Sequence, residues 1–178
     1  MKLRADGRLD DARQLESPNC DQRPAGSEPT LLLLHSISLP PGEYGGDAIE
    51  RLFTNRLDPR AHPYFSEIFS LRVSAHFVIR RDGEVVQFVP VHLRAWHAGE
   101  SSWRGRSRCN DFSVGVELEG TDDTPFEEVQ YARLTALVRA LRATLPLCSV
   151  AAHSDVAPAR KTDPGARFGW QRFLAALA

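Results

Sequence analysis

Residues 151–164, AAHSDVAPARKTDP, bring His153, Asp155, Lys161 and Asp163 into one short, turn-rich segment. Pro, Asp, Ser and Lys are ordinary loop residues, but imidazole and carboxylate are also zinc ligands. A catalytic zinc takes three protein groups and leaves one position for water. His35, His153 and Asp163 would supply such a set. Against this, the chain has six histidines, and a histidine at a strand end is more often a hydrogen-bonded structural residue than a ligand. The long gap between His35 and His153 has no motif value, so spacing leaves both readings standing.

Other side chains could work beside such a centre. In FSVGVELEG (112–120), Glu117 falls on the polar face of an alternating strand next to Gly115. The small neighbour leaves room beside a carboxylate that could act as general base. An exposed strand glutamate is the commoner case, and Glu119 shares the face. Lys161 could stabilise negative charge developing on a carbonyl oxygen, or be a solvated lysine. RAWHAGESSWRGRSRC sets Trp96, His97 and Trp103 among Arg94, Arg104, Arg106 and Arg108, a mixture suited to stacking on sugars and gripping carboxylates. A loop pinned by aromatic anchors fits the same residues equally well. His62 and His92 read as loop residues, and His76 as a satisfied core histidine.

The elements that must carry these residues are legible in part. LLLLHSI (31–37) lies between Pro29 and Pro40 and predicts a buried central strand with His35 near its C-terminal end. Asp47 and Glu50 mark the start of a short helix carrying Ile49, Leu52 and Phe53. SAHFVIRRDGEVVQFVP predicts an antiparallel hairpin about Asp82-Gly83. Thr124-Pro125-Phe126-Glu127 forms a capping box opening an amphipathic helix that runs to about residue 144. LCSVAAH predicts a second buried strand ending at His153, and Trp170, Phe173, Leu174 and Leu177 mark the stripe of a C-terminal helix. The fold class is α/β, α+β-like: a single domain with a central mixed β-sheet flanked by helices. His35 and His153 each end a buried strand, where such folds place their sites. Residues 1–27 form a polar N-terminal arm, and 28–178 the domain.

Composition narrows the class. At 178 residues, with 42% apolar and 25% charged side chains, the chain is a globular domain and not a disordered one. A net charge of −1 gives no reason to expect nucleic acid. Three widely spaced cysteines, Cys20, Cys109 and Cys148, indicate free thiols, without a disulfide framework or thiolate zinc site. The start MKLRADGRLDDARQLESPNC has no apolar signal core and no later run approaches a membrane span, so the expected location is the cytoplasm, off the membrane.

Taken together, HSISLPPGEYGG, AHPYF, LRVSAHFVIRRDGEVVQFVP, RAWHAG, RCNDFSVGVELEGTD and HSDVAPARKTDPG closely resemble the AmpD-type 1,6-anhydro-N-acetylmuramoyl-L-alanine amidases, within the wider type 2 amidase and peptidoglycan-recognition family. The resemblance runs in order from about residue 28 to the C-terminus. It implies that His35, His153 and Asp163 bind Zn2+, where many wider relatives have cysteine at the third position. It implies that Glu117 acts on the metal's water, that Lys161 stabilises the oxyanion, and that Arg72, Trp96 and Arg108 face the muropeptide. The expected reaction is hydrolysis of the amide between 1,6-anhydro-N-acetylmuramic acid and L-alanine of the stem peptide, in cytoplasmic muropeptide recycling by a monomer. In some bacteria such recycling lowers the signal that induces chromosomal β-lactamase. Ser36 departs from the asparagine expected after the first ligand, replacing an amide by a hydroxyl. The resemblance carries a second reading, a muropeptide-binding module without catalysis, but such members lose ligands that this chain retains. An extracytoplasmic amidase acting on polymeric wall would require an export signal.

Overall fold

The computed structural model describes residues 1–178. In chain order its strands and helices are β1 (Arg13–Gln14), β2 (Cys20–Gln22), β3 (Leu31–Ile37), α1 (Ala48–Phe53), α2 (Phe65–Ile68), β4 (Phe77–Ile79), β5 (Val85–Gln87), β6 (Leu93–Ala95), β7 (Ser102–Trp103) and β8 (Arg106–Ser107). A 3-10 turn at Cys109–Phe112 leads into β9 (Ser113–Glu119), followed by α3 (Glu128–Arg142), β10 (Ser149–Ala152), α4 (His153–Val156) and α5 (Trp170–Leu177). The main sheet has six strands in the order β1-β5-β4-β9-β3-β10. Only β4 and β5 pair antiparallel, through the hairpin turn where Gly83 takes φ +87°; the other neighbours are parallel. No helix is long and apolar enough to cross a membrane.

Period-two alternation assigns the faces. Leu32 and Leu34 of β3 and Val114, Val116 and Leu118 of β9 enter a core closed by Leu134, Leu137, Val138 and Leu141 of α3 and Phe173 of α5. Leu31 and Leu33 point the other way, to a smaller cluster with Ala151, Val156 and Phe112. The four leucines are fully buried, each contributing about 1.5–3 kcal/mol on removal from water. The opposite face beside the hairpin is covered by Ile49, Leu52 and Phe53 of α1 with Phe65.

Three sequence expectations are corrected. The first thirty residues are not merely a surface arm. Leu3 and Leu9 enter the main core, β1 adds a parallel edge strand to β5, and β2 pairs with β6. Two isolated leucines carry no periodic signal, so pairing with distant strands decides this segment. The helix expected from Thr124 begins at Glu128. Thr121 Oγ1 takes the Thr124 N–H at 3.2 Å, Phe126 is drawn into the core against Phe168, and Gln130 caps the Glu127 N–H at 3.0 Å. In the C-terminal helix Leu174 faces solvent and Phe173 carries the burial.

Candidate metal centre and catalytic site

β4, β9, β3 and β10 run parallel, so their C-terminal ends emerge along one sheet edge, the usual location of sites in such folds. His35 stands near the end of β3, and His153 follows β10 as the first residue of α4. The tight turn at His153 is held by Asp155, whose Oδ2 accepts the Ala152 N–H at 2.8 Å. Asp155 therefore caps the turn, while Asp163 returns to the centre. His35 Nδ1 and His153 Nδ1 lie 2.9 Å apart. Asp163 Oδ2 lies 3.0 Å from His153 Nδ1 and 3.2 Å from His35 Nδ1.

Three donor atoms thus form a nearly equilateral triangle, and no other group of His, Cys, Asp or Glu converges in this way. Donors around a tetrahedral zinc, with bonds of about 2.0–2.1 Å, are separated by about 3.3 Å, so the triangle fits after a small expansion. The donor chemistry fits too. His153 Nε2 faces the Ala98 carbonyl at 3.2 Å, an acceptor only, so the hydrogen resides on Nε2 and Nδ1 offers a lone pair. Burial pushes His35 down to about 4, against the opposing pull of the Asp163 carboxylate. Burial alone would raise Asp163, but His153 and His35 outweigh it and hold the carboxyl well below its ordinary range. Neutral imidazole and ionised carboxylate are the forms that bind a metal.

Glu117 is paired with His35 in the parallel register of β3 and β9. It is 8% exposed, and its Oε2 is buried without a hydrogen-bond partner. Burial, then the charge of Asp163, pushes its carboxyl well above the usual range, with Lys161 opposing. The polar face of β9 is therefore not open, as its alternation suggested. Glu119 is sealed by Arg80 at 3.0 Å and by the Gly45 N–H at 2.7 Å. The space over Gly115 is filled by the His97 ring and not by solvent: a Cβ there would approach His97 Cγ to 2.5 Å. Only Glu117 reaches the cavity.

That cavity, about 640 Å³, is lined by His35, His153, Asp163, Glu117 and Lys161, all five of the residues expected at the chemistry. Ile37, Leu39, Leu52 and Leu71 add apolar surface to the lining, and Ser36, Thr121, Asp122 and Thr162 add polar groups. Ser36 turns its hydroxyl to Asp122 Oδ1 at 3.4 Å. Arg72, Trp96 and Arg108 do not line the cavity. Trp96 donates its indole N–H to Asp21 Oδ1 at 3.1 Å, Arg72 lies on the carbonyls of Ser70 and Leu71, and the Arg108 side chain is 71% exposed. Trp103 packs as an anchor against the smaller core cluster, with Arg104 stacked on its ring. His76 is fully buried, its Nδ1 accepting the Gly115 N–H at 3.0 Å. His62 accepts a local backbone N–H, and His92 is exposed. Cys109 is buried and Cys148 exposed, with no disulfide. His97 is the residue whose role local sequence concealed: it touches His35 at 2.9 Å, and the only available sign was a glycine inside a strand, which marks a close approach.

The fold and this site define the class. The chain belongs to the N-acetylmuramoyl-L-alanine amidase family (Amidase_2), which it matches over residues 25–166. Within that family it is 55% identical to the 1,6-anhydro-N-acetylmuramyl-L-alanine amidase AmpD of Enterobacter cloacae, over 98% of this chain and 95% of that protein. A crystal structure of a selenomethionine AmpD derivative, 53% identical, superposes with a TM-score of 0.97 over all of both chains. The amidase AmiD of Escherichia coli, solved with the substrate anhydro-N-acetylmuramic acid-L-Ala-D-γ-Glu-L-Lys, is 28% identical with a TM-score of 0.61, over 87% of this chain and 60% of that one.

Proposed function

We propose that this chain is a zinc-dependent 1,6-anhydro-N-acetylmuramoyl-L-alanine amidase, hydrolysing the amide between the anhydromuramic acid and the L-alanine that begins the stem peptide. The carrying observation is the triangle of His35, His153 and Asp163 with the unpartnered Glu117 carboxylate one strand away. Relatives named for this reaction, at 55% identity over nearly the whole chain, support the substrate. A module that only bound muropeptides would gain nothing from a buried carboxylate without a partner, which costs folding free energy.

His35, His153 and Asp163 hold the ion. When bound, zinc would supply Lewis-acid chemistry, lowering the pKa of water towards about 7 and polarising a carbonyl. Glu117, whose side chain lines the cavity, accepts a proton from the attacking water and delivers it to the leaving L-alanine nitrogen, a role worth about 10²- to 10⁴-fold. Lys161 meets the negative charge that develops on the carbonyl oxygen, a contact worth about 3–4 kcal/mol. Arg72 and Arg108, outside the cavity lining, meet carboxylates of the stem peptide, and Trp96 packs near the sugar or the stem. The amidase domain is residues 28–178 with 1–27 as its docked arm, and the enzyme works as a monomer in cytoplasmic recycling.

Incubation of the purified chain with an anhydromuropeptide, read by mass, releases free stem peptide. Chelation stops release and zinc restores it. Asp163→Ala loses bound metal and activity together, and full activity after exhaustive chelation would refute the metal's role.

A further inference from the structure

Each histidine of the metal triangle directs its second nitrogen to the same short stretch of chain. His35 Nε2 lies 2.9 Å from His97 Nδ1, and His153 Nε2 lies 3.2 Å from the carbonyl oxygen of Ala98. These neighbours are held as one piece. The backbone N–H groups of His97 and Ala98 both donate to Asn110 Oδ1, at 3.2 and 2.8 Å. The carbonyl of Ala98 also accepts from Arg160 at 3.0 Å. Asn110 belongs to the 3-10 turn leading into β9, and its own carbonyl accepts from Arg23 at 3.1 Å.

Hydrogen accounting gives this arrangement a direction. A carbonyl only accepts, so His153 carries its hydrogen on Nε2 and presents the Nδ1 lone pair to the centre. For His35 to present Nδ1 likewise, its Nε2–H donates to His97 Nδ1. His97 then bears its own hydrogen on Nε2, where Ser113 Oγ waits 3.3 Å away. The missing side chain of Gly115 lets the His97 ring sit against β9, since a Cβ would stand 2.5–2.7 Å from three of its ring atoms.

We propose that Asn110 and the dipeptide His97–Ala98 form a single clamp that sets the tautomer and the aim of both metal-binding histidines, with His97 and Asn110 as positioning residues. The clamp rests on the reading of His35, His153 and Asp163 as a metal site. Neither positioning residue belongs to the donor triangle, although His97 also lines the cavity. Partners of this kind alter metal affinity by about 10- to 100-fold when removed.

The test pairs substitutions of equal shape. Leucine and asparagine branch alike at Cγ, but only asparagine keeps an acceptor where His97 Nδ1 stands; Asn110→Leu and Asn110→Asp make the same contrast. Zinc affinity is measured by competition with a chromogenic chelator, and site geometry by the absorption spectrum of the cobalt(II)-loaded chain. His97→Leu and Asn110→Leu weaken zinc binding about 10- to 100-fold and alter the cobalt spectrum, while His97→Asn and Asn110→Asp stay close to the parent. Gly115→Ala, pressing on the His97 ring, weakens zinc as well. Leucine variants that bind zinc as tightly as the parent, or asparagine and aspartate variants that weaken it equally, overturn the clamp. A parent chain that binds no zinc overturns the metal reading instead. Should a leucine variant fail to fold, nitrogen NMR of the zinc-loaded parent decides: His97 must carry its hydrogen on Nε2, and any other tautomer overturns the proposal.

Discussion

Replacing Glu117 by glutamine separates its catalytic role from its energetic cost. The side chain is buried, one carboxylate oxygen has no partner, and burial with the neighbouring Asp163 raises its proton affinity well above the ordinary value of 4.5. A carboxyl that holds its proton more tightly folded than unfolded weakens the fold as pH rises, because the unfolded chain ionises first. Below about pH 4.5 the effect vanishes; above it, stability falls by about 1.4 kcal/mol per pH unit until the folded group ionises. Over the interval from 4.5 to pH 7 the ceiling is about 3.5 kcal/mol. Metal-free Glu117→Gln, neutral at every pH, is therefore more stable than the metal-free parent at pH 7 and equal to it near pH 4. For a chain of this size each kcal/mol raises Tm by about 2–4 °C. Zinc favours the ionised carboxylate and narrows the difference. Turnover of the zinc-loaded variant falls about 10²- to 10⁴-fold with zinc content unchanged. Thermal melts of chelated protein across pH 4–7.5, beside turnover of the loaded form, test both halves. A rate within tenfold of the parent would refute the general-base role, and identical melts at all pH values would refute the strained carboxyl.

Lys161→Met should lower kcat about 10²- to 10³-fold while retaining stoichiometric zinc by elemental analysis; loss of metal instead would show a structural role. Arg23→Met removes donors to the carbonyls of Val91, Asn110, Asp111 and Ser113. Leaving those acceptors bare costs about 3 kcal/mol or more, read as a lower urea midpoint at unchanged slope. Burial, aided by the charge of Arg23, pushes His76 down to about 3, so the unfolded chain takes a proton below about pH 6.5 that the folded chain refuses. Stability therefore declines from pH 6.5 towards 3, and His76→Asn, which keeps an acceptor for the Gly115 N–H, flattens that decline in urea titrations.

How much of this was legible depends on the range of the forces involved. The β3 strand, the Asp82-Gly83 hairpin and the alternation of β9 are local patterns, and the structure reproduces all three. The alternation correctly separated Val114, Val116 and Leu118 from Glu117, but it could not say what covers the other face. A period-two pattern records which side chains are polar, and a polar side chain sealed by Arg80 looks the same in sequence as one facing water. The ligand set could not be derived from spacing because β3 and β10 become neighbours only through sheet order, with Leu34 beside Ala152. The blocks of resemblance supplied that set. His97 escaped because its partners, His35, Ser113 and Asn110, are all distant in the chain.

Register is what converts these scattered residues into a site. His35 and Glu117 sit side by side because Leu31 pairs with Ser113 and every following pair keeps step, placing neighbouring strands about 4.8 Å apart. A slip of β9 by one residue would set Val116 or Leu118 beside His35 and turn the Glu117 carboxylate into the core packed by α3. The same slip would expose three apolar side chains that are now fully buried, at about 1.5–3 kcal/mol each. The hydrophobic alternation that holds the sheet together therefore also enforces the spacing between metal ligand and base. Substitutions on the core face of β9 that loosen this pairing, such as Val116→Thr, should reduce turnover before they unfold the chain, read by assaying activity and the urea midpoint of the same sample.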